Sequence, residues 1–300
     1  MFRFPEPPDV PVTQRAEGSV SLRYEDISQD GRLLLPAIPH GLGEVMFAKA
    51  LSRGPVRAVF EAEGIVPILT RLVVEGFGGP IGVRRSLEGA GCYELAHVPD
   101  GQGGVARIVL NVWLDVFGPK GVTYGPQPDD AGARLHLGRV FAEHAFTRPF
   151  GPPDRRKVRD LPLDGGRVVP ETVRAATHGP DFLQLPEGAT WLDEAEVEDE
   201  AEVVFGLGHT DSNQHVNSLV YPYLFEQAAL RRLAACGKNP AVLARNVDLS
   251  YRKPCFAGDR ARIRLRAFAL GGALGAVGVF APSGDAGSKP HAWARIGFRP

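Results

Sequence analysis

His209-Thr210-Asp211-Ser212-Asn213-Gln214-His215-Val216-Asn217 places one carboxylate, three carboxamides and two imidazoles within nine residues. A strand-like run at 201–207 precedes it and a helix-like run at 219–235 follows. At a strand-to-helix junction the first backbone N–H groups of the helix point outward, and the local field favours negative charge. Polar side chains gathered there can polarise a carbonyl and deliver a water to it. A helix cap would account for Asp211 or Asn213 alone, but not for the whole run.

Working outward, the second half reads as a strand at 201–207, a helix at 219–235, and strands at 244–251, 261–270, 275–280 and 291–298. The first half has the same order. A strand-like alternation at 19–24 is followed by an apolar helical patch at 43–51, built from Val45, Met46, Phe47, Ala48, Ala50 and Leu51. Strand candidates then stand at 65–76, 82–87, 91–98, 105–117 and 133–146, punctuated by Gly and Pro as in an antiparallel sheet. One long helix beside several extended strands is an α+β unit, and here the order of elements occurs twice. Between the halves, 147–188 is rich in Pro, Gly, Asp and Arg without a sustained period, which predicts an irregular connector. The acidic run at 193–200 reads as a solvated face.

Three hundred residues with 44% apolar content can bury a large core and suit two domains. A formal net charge of −1 gives no global sign of nucleic acid or anionic membrane as partner. The three cysteines, Cys92, Cys236 and Cys255, are widely spaced, with no CxxC, and point to a reducing compartment. The leader at 1–8 is too Pro-rich for a signal peptide, and no apolar run reaches the ~20 residues of a membrane span. A cytoplasmic protein is the expectation.

The segment from His209 through the helix-like run resembles the acyl-ACP thioesterases and the hot-dog relatives of the 4-hydroxybenzoyl-CoA thioesterase type. Those families carry a DxNxHVNN segment followed by a helix with Tyr and then Glu. Asp211, Asn213, His215, Val216 and Asn217 match it, Ser218 replaces the second Asn of the pair, and Tyr221 and Glu226 follow. Leu249-Ser250-Tyr251-Arg252-Lys253-Pro254-Cys255 resembles the LEYRREC strand of plant-type acyl-ACP thioesterases. The resemblance implies two tandem hot-dog domains, each an antiparallel sheet wrapped around a long helix. Residues 1–146 would form a degenerate N-terminal domain, 147–200 the connector and 201–300 the catalytic domain. It further implies hydrolysis of an acyl carrier protein or coenzyme A thioester, with no cofactor and no metal. The two halves would make an intrachain pseudo-dimer, with a homodimer also open.

Thioester hydrolysis needs an oxyanion stabiliser, a positioned water or nucleophile, and a group to take its proton. By analogy with the family, Asp211 is the base or nucleophile. Asn213 would orient the water or the carboxylate, and His215 would act as acid/base or donate to substrate. Backbone N–H groups of a helix beginning near Asn217 would hold the thioester oxygen, with Asn217, Ser218 and Tyr221 on the substrate. One departure matters: where the plant-type strand has Glu before its Cys, this chain has Pro254, which can be neither base nor backbone donor. Cys255 as a nucleophile with His215 and Asn213, Glu226 as a replacement carboxylate, or Asp211 alone are the alternatives for the deficit. In the first half, laying Asp30 over Asp211 puts Arg32 at the Asn213 place and Leu34 at the His215 place, and His40 reads as a helix-start residue. Basic residues at Arg231-Arg232, Arg252-Lys253, Arg260 to Arg266 and Arg155-Arg156-Lys157 could attract an acidic carrier protein or coenzyme A phosphates, or simply line an exposed strand. Two other functions stay open: a non-catalytic acyl-thioester-binding protein, and a hot-dog dehydratase or hydratase.

Overall fold

The computed structural model describes residues 2–299 apart from 53–55, 58, 60–63, 164–165 and 285–287. The chain divides into two compact units, Phe4–Thr177 and His178–Pro300, the second also including Met1–Arg3.

In the first unit, β1 (Arg15–Val20), β2 (Val66–Gly76), β3 (Leu87–Pro99), β4 (Val105–Pro119) and β5 (Arg134–Thr147) form an antiparallel sheet in the order β1-β3-β4-β5-β2. Alternation divides its side chains between two faces. Cys92, Trp113 and Phe141 are cross-strand partners on one face, buried under Phe4 and Val10 of the Pro-rich leader. The Trp113 Nε1–H donates to the Pro5 carbonyl at 2.8 Å, fastening that leader down. The other face carries the helical element, Leu42–Leu51, which packs on β1, β3 and β4. Gly91 permits its approach, since a Cβ there would collide with the Met46 sulfur and the Trp113 carbonyl.

This element departs from expectation. It is a ten-residue π-helix, with the Ser52 N–H bonded to the carbonyl of Phe47 at 3.1 Å. Its buried side chains explain why: Val45 and Met46 recur five positions on as Ala50 and Leu51, the repeat of i→i+5 bonding. Among the described residues the one long α-helix therefore lies in the second unit, and no second long α-helix is found among them.

After a two-stranded hairpin of β6 (Leu161–Leu163) and β7 (Gly166–Val168), the second unit begins with three short strands. These are β8 (Thr190–Trp191), β9 (Val197–Glu198) and β10 (Val203–Val204). Its sheet continues with β11 (Leu243–Tyr251), β12 (Arg260–Leu270), β13 (Ala273–Pro282) and β14 (Ala292–Arg299), in the order β11-β14-β13-β12-β10. The strands β8 and β9 also pair with β12.

The α-helix α1 (Val220–Ala235) lies on β11, β12 and β14. Tyr221, Phe225, Ala228, Ala229 and Leu233 recur at helical spacing and are buried. Each large one contributes roughly 1.5–3 kcal/mol on leaving water. Pro222 stands in the first turn, where its missing N–H breaks no helical bond. The helix ends in a Schellman turn: Gly237 has φ +71°, its N–H reaches the Ala234 carbonyl at 2.9 Å, and that of Lys238 reaches Leu233 at 3.0 Å.

Three sequence readings change. The strand expected at 201–207 shrinks to Val203–Val204, because a 3-10 turn at Leu207–His209, preceded by Gly206 and containing Gly208, replaces its end. No strand forms over 82–86; β3 starts at Leu87 instead. The acidic run is not simply a solvated face. Asp193 and Asp199 are buried and receive Arg232 and Arg231 of α1, with Nε to carboxylate distances of 2.8 and 2.9 Å. The more exposed acids of the run pair with the outward arginines of β12, Arg262 with Glu198 and Arg264 with Glu196.

Candidate active site

Between β10 and α1 the chain makes a closed loop. Thr210 and Val216 pair as an antiparallel bridge, the Asp211 N–H donates to His215 O at 3.2 Å, and that of Gln214 donates to Asp211 O at 2.9 Å. Turning inside that bridge requires a left-handed residue, and Gln214 takes it with φ +65°. A non-glycine residue there is costly, of the order of 1–3 kcal/mol for strained backbone, and such positions cluster at functional sites.

The loop is organised around the Asp211 carboxylate. One oxygen accepts the Asn213 N–H at 2.9 Å and the other the Asn217 Nδ2–H at 3.2 Å. Asn217 then ties the carboxylate to the helix: its Oδ1 accepts the Leu219 N–H at 2.8 Å and its carbonyl the Val220 N–H at 3.1 Å. The side chain expected on substrate thus has both amide ends engaged within the protein. Asn213 is exposed and contributes its backbone N–H, while His215 is half-buried, its Nδ1 3.4 Å from the Val216 carbonyl. His209 is half-buried, accepts the Gly206 N–H at 3.2 Å and lies edge-on to Phe205.

The helix starts three residues later than Asn217, and this alters the expected oxyanion donors. The Asn217, Leu219 and Val220 N–H groups are bonded to His209 O, Asn217 Oδ1 and Asn217 O. Pro222 has no N–H to offer. Ser218 is fixed from below, its carbonyl accepting the Tyr251 hydroxyl at 2.9 Å. Sequence reasoning had given Tyr251 no role; its place at the end of an alternating strand was the available signal.

Tyr221 is buried among Tyr251, Phe205 and Phe280, with ring centroids 5.1 to 5.9 Å away. Its hydroxyl faces Cys255, and burial pushes both groups up. Cys255 is 0% exposed, and its carbonyl also accepts the Val216 N–H at 2.8 Å. A reactive cysteine needs a depressed pKa and access, and this thiol has neither; it packs the floor of the loop. Cys255→Ala should leave turnover of any substrate within about threefold while lowering stability by roughly 1–2 kcal/mol. A loss of turnover comparable to that of a catalytic residue would restore the cysteine mechanism.

Glu226 lies six residues into α1, about 9 Å along the axis from its start. Burial raises its carboxyl pKa, opposed by a hydrogen bond from the Ala244 backbone at the opposite end of β11 from Tyr251. Among the described residues, the hydrogen bonds of the Asp211 carboxylate go to Asn213 and Asn217, and not to Glu226. Because the folded protein keeps this proton above the ordinary 4.5, stability falls as pH rises through the raised value. Glu226→Gln should therefore raise the melting temperature at pH 8, and the gain should vanish toward pH 4. An equal gain at both pH values would contradict the assignment.

The first unit contains the same loop without the same chemistry. Ile27 and Leu33 make the corresponding bridge, Ser28 N donates to Arg32 O at 2.8 Å, Gly31 N to Ser28 O at 2.9 Å, and Leu34 N to Asp26 O at 2.9 Å. Hydrogen bond for hydrogen bond, Ser28 stands where Asp211 does, Asp30 where Asn213 does, Arg32 where His215 does and Leu34 where Asn217 does. This moves the register two residues from the one read in the sequence. Gly31, with φ +79°, occupies the turn held by Gln214. His40 lies 4.0 Å from the buried Asp26 carboxylate.

No protein-family model matches the chain, and no curated protein matches it. Solved structures do. A protein named as an oleoyl thioesterase from Lactobacillus plantarum aligns with a TM-score of 0.60 at 11% identity, covering 95% of this chain and 96% of that one. The 12:0-ACP thioesterase from Umbellularia californica gives 0.59 at 12% identity, with coverages of 96% and 94%. The chain has the hot-dog thioesterase fold. An acyl-ACP thioesterase from Bacteroides thetaiotaomicron gives 0.55 at 14% identity, covering 96% of this chain and 98% of that one. The alignments run through both units, and the identities restrict the likeness to the fold. No helix among the described residues is long and apolar enough to cross a membrane.

Proposed function

We propose that this chain is a thioester hydrolase acting on acyl-ACP or acyl-CoA. Residues 201–300 would carry the chemistry, and the first unit would be its degenerate counterpart. The observation that carries this reading is the Asp211 carboxylate, held by two donors in the loop that enters α1, in a fold shared with thioesterases. A carboxylate fixed in this way is oriented before substrate arrives, which is where much of an enzyme's rate advantage originates.

In the reaction Asp211 takes a proton from water as the water oxygen adds to the thioester carbonyl. The C–S bond then breaks and the proton passes to the departing thiolate. Direct attack by Asp211, with water opening the resulting anhydride, gives the same products. His215, beside Asp211 across the bridge, serves as hydrogen-bond donor or acid. Asn213 orients the carboxylate and Asn217 positions it. With the Asn217, Leu219 and Val220 N–H groups engaged, those of Ser218 and Tyr221 are the remaining donors for the thioester oxygen. Asp211 then carries the task that the family's missing Glu at Pro254 would share, without help from Cys255.

Incubation with a panel of acyl-ACP and acyl-CoA thioesters, followed by mass analysis of products, tests the function. Free acid and thiol in equal amounts are expected. Absence of thiol from every member would favour the acyl-binding protein, and an altered acyl chain with its thioester intact would favour the dehydratase or hydratase.

A further inference from the structure

Of the basic clusters in the sequence, most are occupied within the fold. Arg231 and Arg232 hold Asp199 and Asp193, Arg260, Arg262 and Arg264 pair with Glu202, Glu198 and Glu196, and Arg252 donates to the carbonyls of Lys289 and Pro290. The cluster in the first unit is different. Arg155, Arg156, Lys157 and Arg159 are all exposed, and among the described residues the ion pair of Arg155 is with its neighbour Asp154, at 4.0 Å. Beside them stands Phe150, which is 99% exposed.

The segment that presents Phe150 is built rather than slack. Arg148 N donates to Arg156 O and Gly151 N to Arg148 O, both at 3.0 Å. Arg155 N reaches Pro152 O at 2.9 Å, and the Arg156 Nε–H reaches Gly151 O at 2.9 Å. Thr147 pairs with Lys157 across its base, and Val158, fully buried, anchors the exit. Pro149, Pro152 and Pro153 restrict the backbone further. Full exposure of a phenyl ring is unfavourable in an isolated protein. On a loop fixed by this many bonds it has the form of a contact residue awaiting a partner.

Resting on the thioesterase reading, we propose that the 147–159 loop is the docking site for the acidic protein that carries the acyl thioester. Phe150 would enter an apolar notch on that protein, and the guanidinium groups of Arg155, Arg156 and Arg159 would meet its carboxylates. Arginine's planar fork binds carboxylates two oxygens at a time, and an aromatic anchor ringed by arginines is the composition enriched at protein interfaces. With a net chain charge of −1, this is a local basic feature and not a consequence of a basic protein. A membrane surface would be served better by several apolar residues than by one, and single-stranded nucleic acid by more than one stacking ring.

The test measures binding of fluorescently labelled apo acyl carrier protein, without an acyl group, to the full chain. Phe150→Ala and the triple variant Arg155→Glu, Arg156→Glu, Arg159→Glu should each raise the dissociation constant about tenfold or more. Wild-type binding should weaken with salt. Hydrolysis of an acyl N-acetylcysteamine thioester, which has no carrier to dock, should be unchanged in both variants, and thermal unfolding reports their folding. No carrier binding by the wild type, or equal binding by all three proteins, overturns the docking site. So does loss of binding to phosphatidylserine vesicles in the variants with carrier binding intact, which would assign the loop to a lipid surface, or an equal loss of affinity for acyl-CoA, which would assign it to phosphates. Failure of the wild type to hydrolyse any thioester overturns the enzyme reading separately, since carrier binding is measured without turnover.

Discussion

Asp193→Ala should lower the stability of the second unit by about 3–5 kcal/mol, the cost of removing one partner from a buried charge pair. The Asp193 side chain is 1% exposed and accepts Arg232 Nε and Nη2 from the last turn of α1, the Cys236 thiol at the helix end and the Ala267 N–H of β12. The backbone carbonyl of the same residue takes Arg266 at 2.9 Å, with the guanidinium 4.1 Å from the Trp191 ring centre. Helix α1, strand β12 and the acidic run are therefore joined at one residue. In thermal unfolding the loss corresponds to about 6–20 °C for a unit of this size class.

The same residue sets an acid limit. Burial alone would push Asp193 up, but hydrogen bonds from Arg232, Ala267 and Cys236 more than offset it and hold the carboxyl below its ordinary 3.8. A depressed folded-state value contributes stability that is complete above the unfolded pKa and disappears as pH falls through the folded one. The gap between wild type and Asp193→Ala should therefore be widest near neutrality and close below about pH 3.8. A gap independent of pH, or a change below 1 kcal/mol, would mean that the clamp does not hold the helix.

Much of this architecture was legible in the chain. Long strands such as β4 and β5 declared themselves because alternation and apolar content persist over more than ten residues, and α1 because Tyr221, Phe225, Ala228, Ala229 and Leu233 repeat at helical spacing. The first helical element misled because Val45, Met46, Ala50 and Leu51 are compatible with a helical face in general, and only the backbone bonding reveals the wider π repeat. The acidic run misled because charge alone does not say which carboxylates turn inward; arginines 32 to 39 residues away decide that for Asp199 and Asp193.

The site was legible in its residues and not in its wiring. Asp211 was singled out by its setting, but the part played by Asn217 depends on two hydrogen bonds that no spacing rule supplies. The duplicated loop was hidden for the opposite reason. Ser28 to Leu34 and Asp211 to Asn217 share no residue at corresponding positions, and the repeat survives only in backbone hydrogen bonds and in a left-handed turn residue.

The account of function stands on Asp211. Asparagine at that position preserves shape but supplies neither a base nor a nucleophile, so loss of the proton-accepting group should cost about 10²–10⁴-fold in turnover. An amide also cannot accept from both Asn213 N–H and Asn217 Nδ2–H with equivalent oxygens, so one hydrogen bond is lost, at roughly 1 kcal/mol of stability. That is too little to unfold the unit, and substrate binding should persist. The decisive measurement is the rate of thiol release from one acyl thioester by wild type and Asp211→Asn under saturating substrate. A fall of at least about a hundredfold with the fold intact is the predicted result; release at the wild-type rate would contradict the carboxylate mechanism.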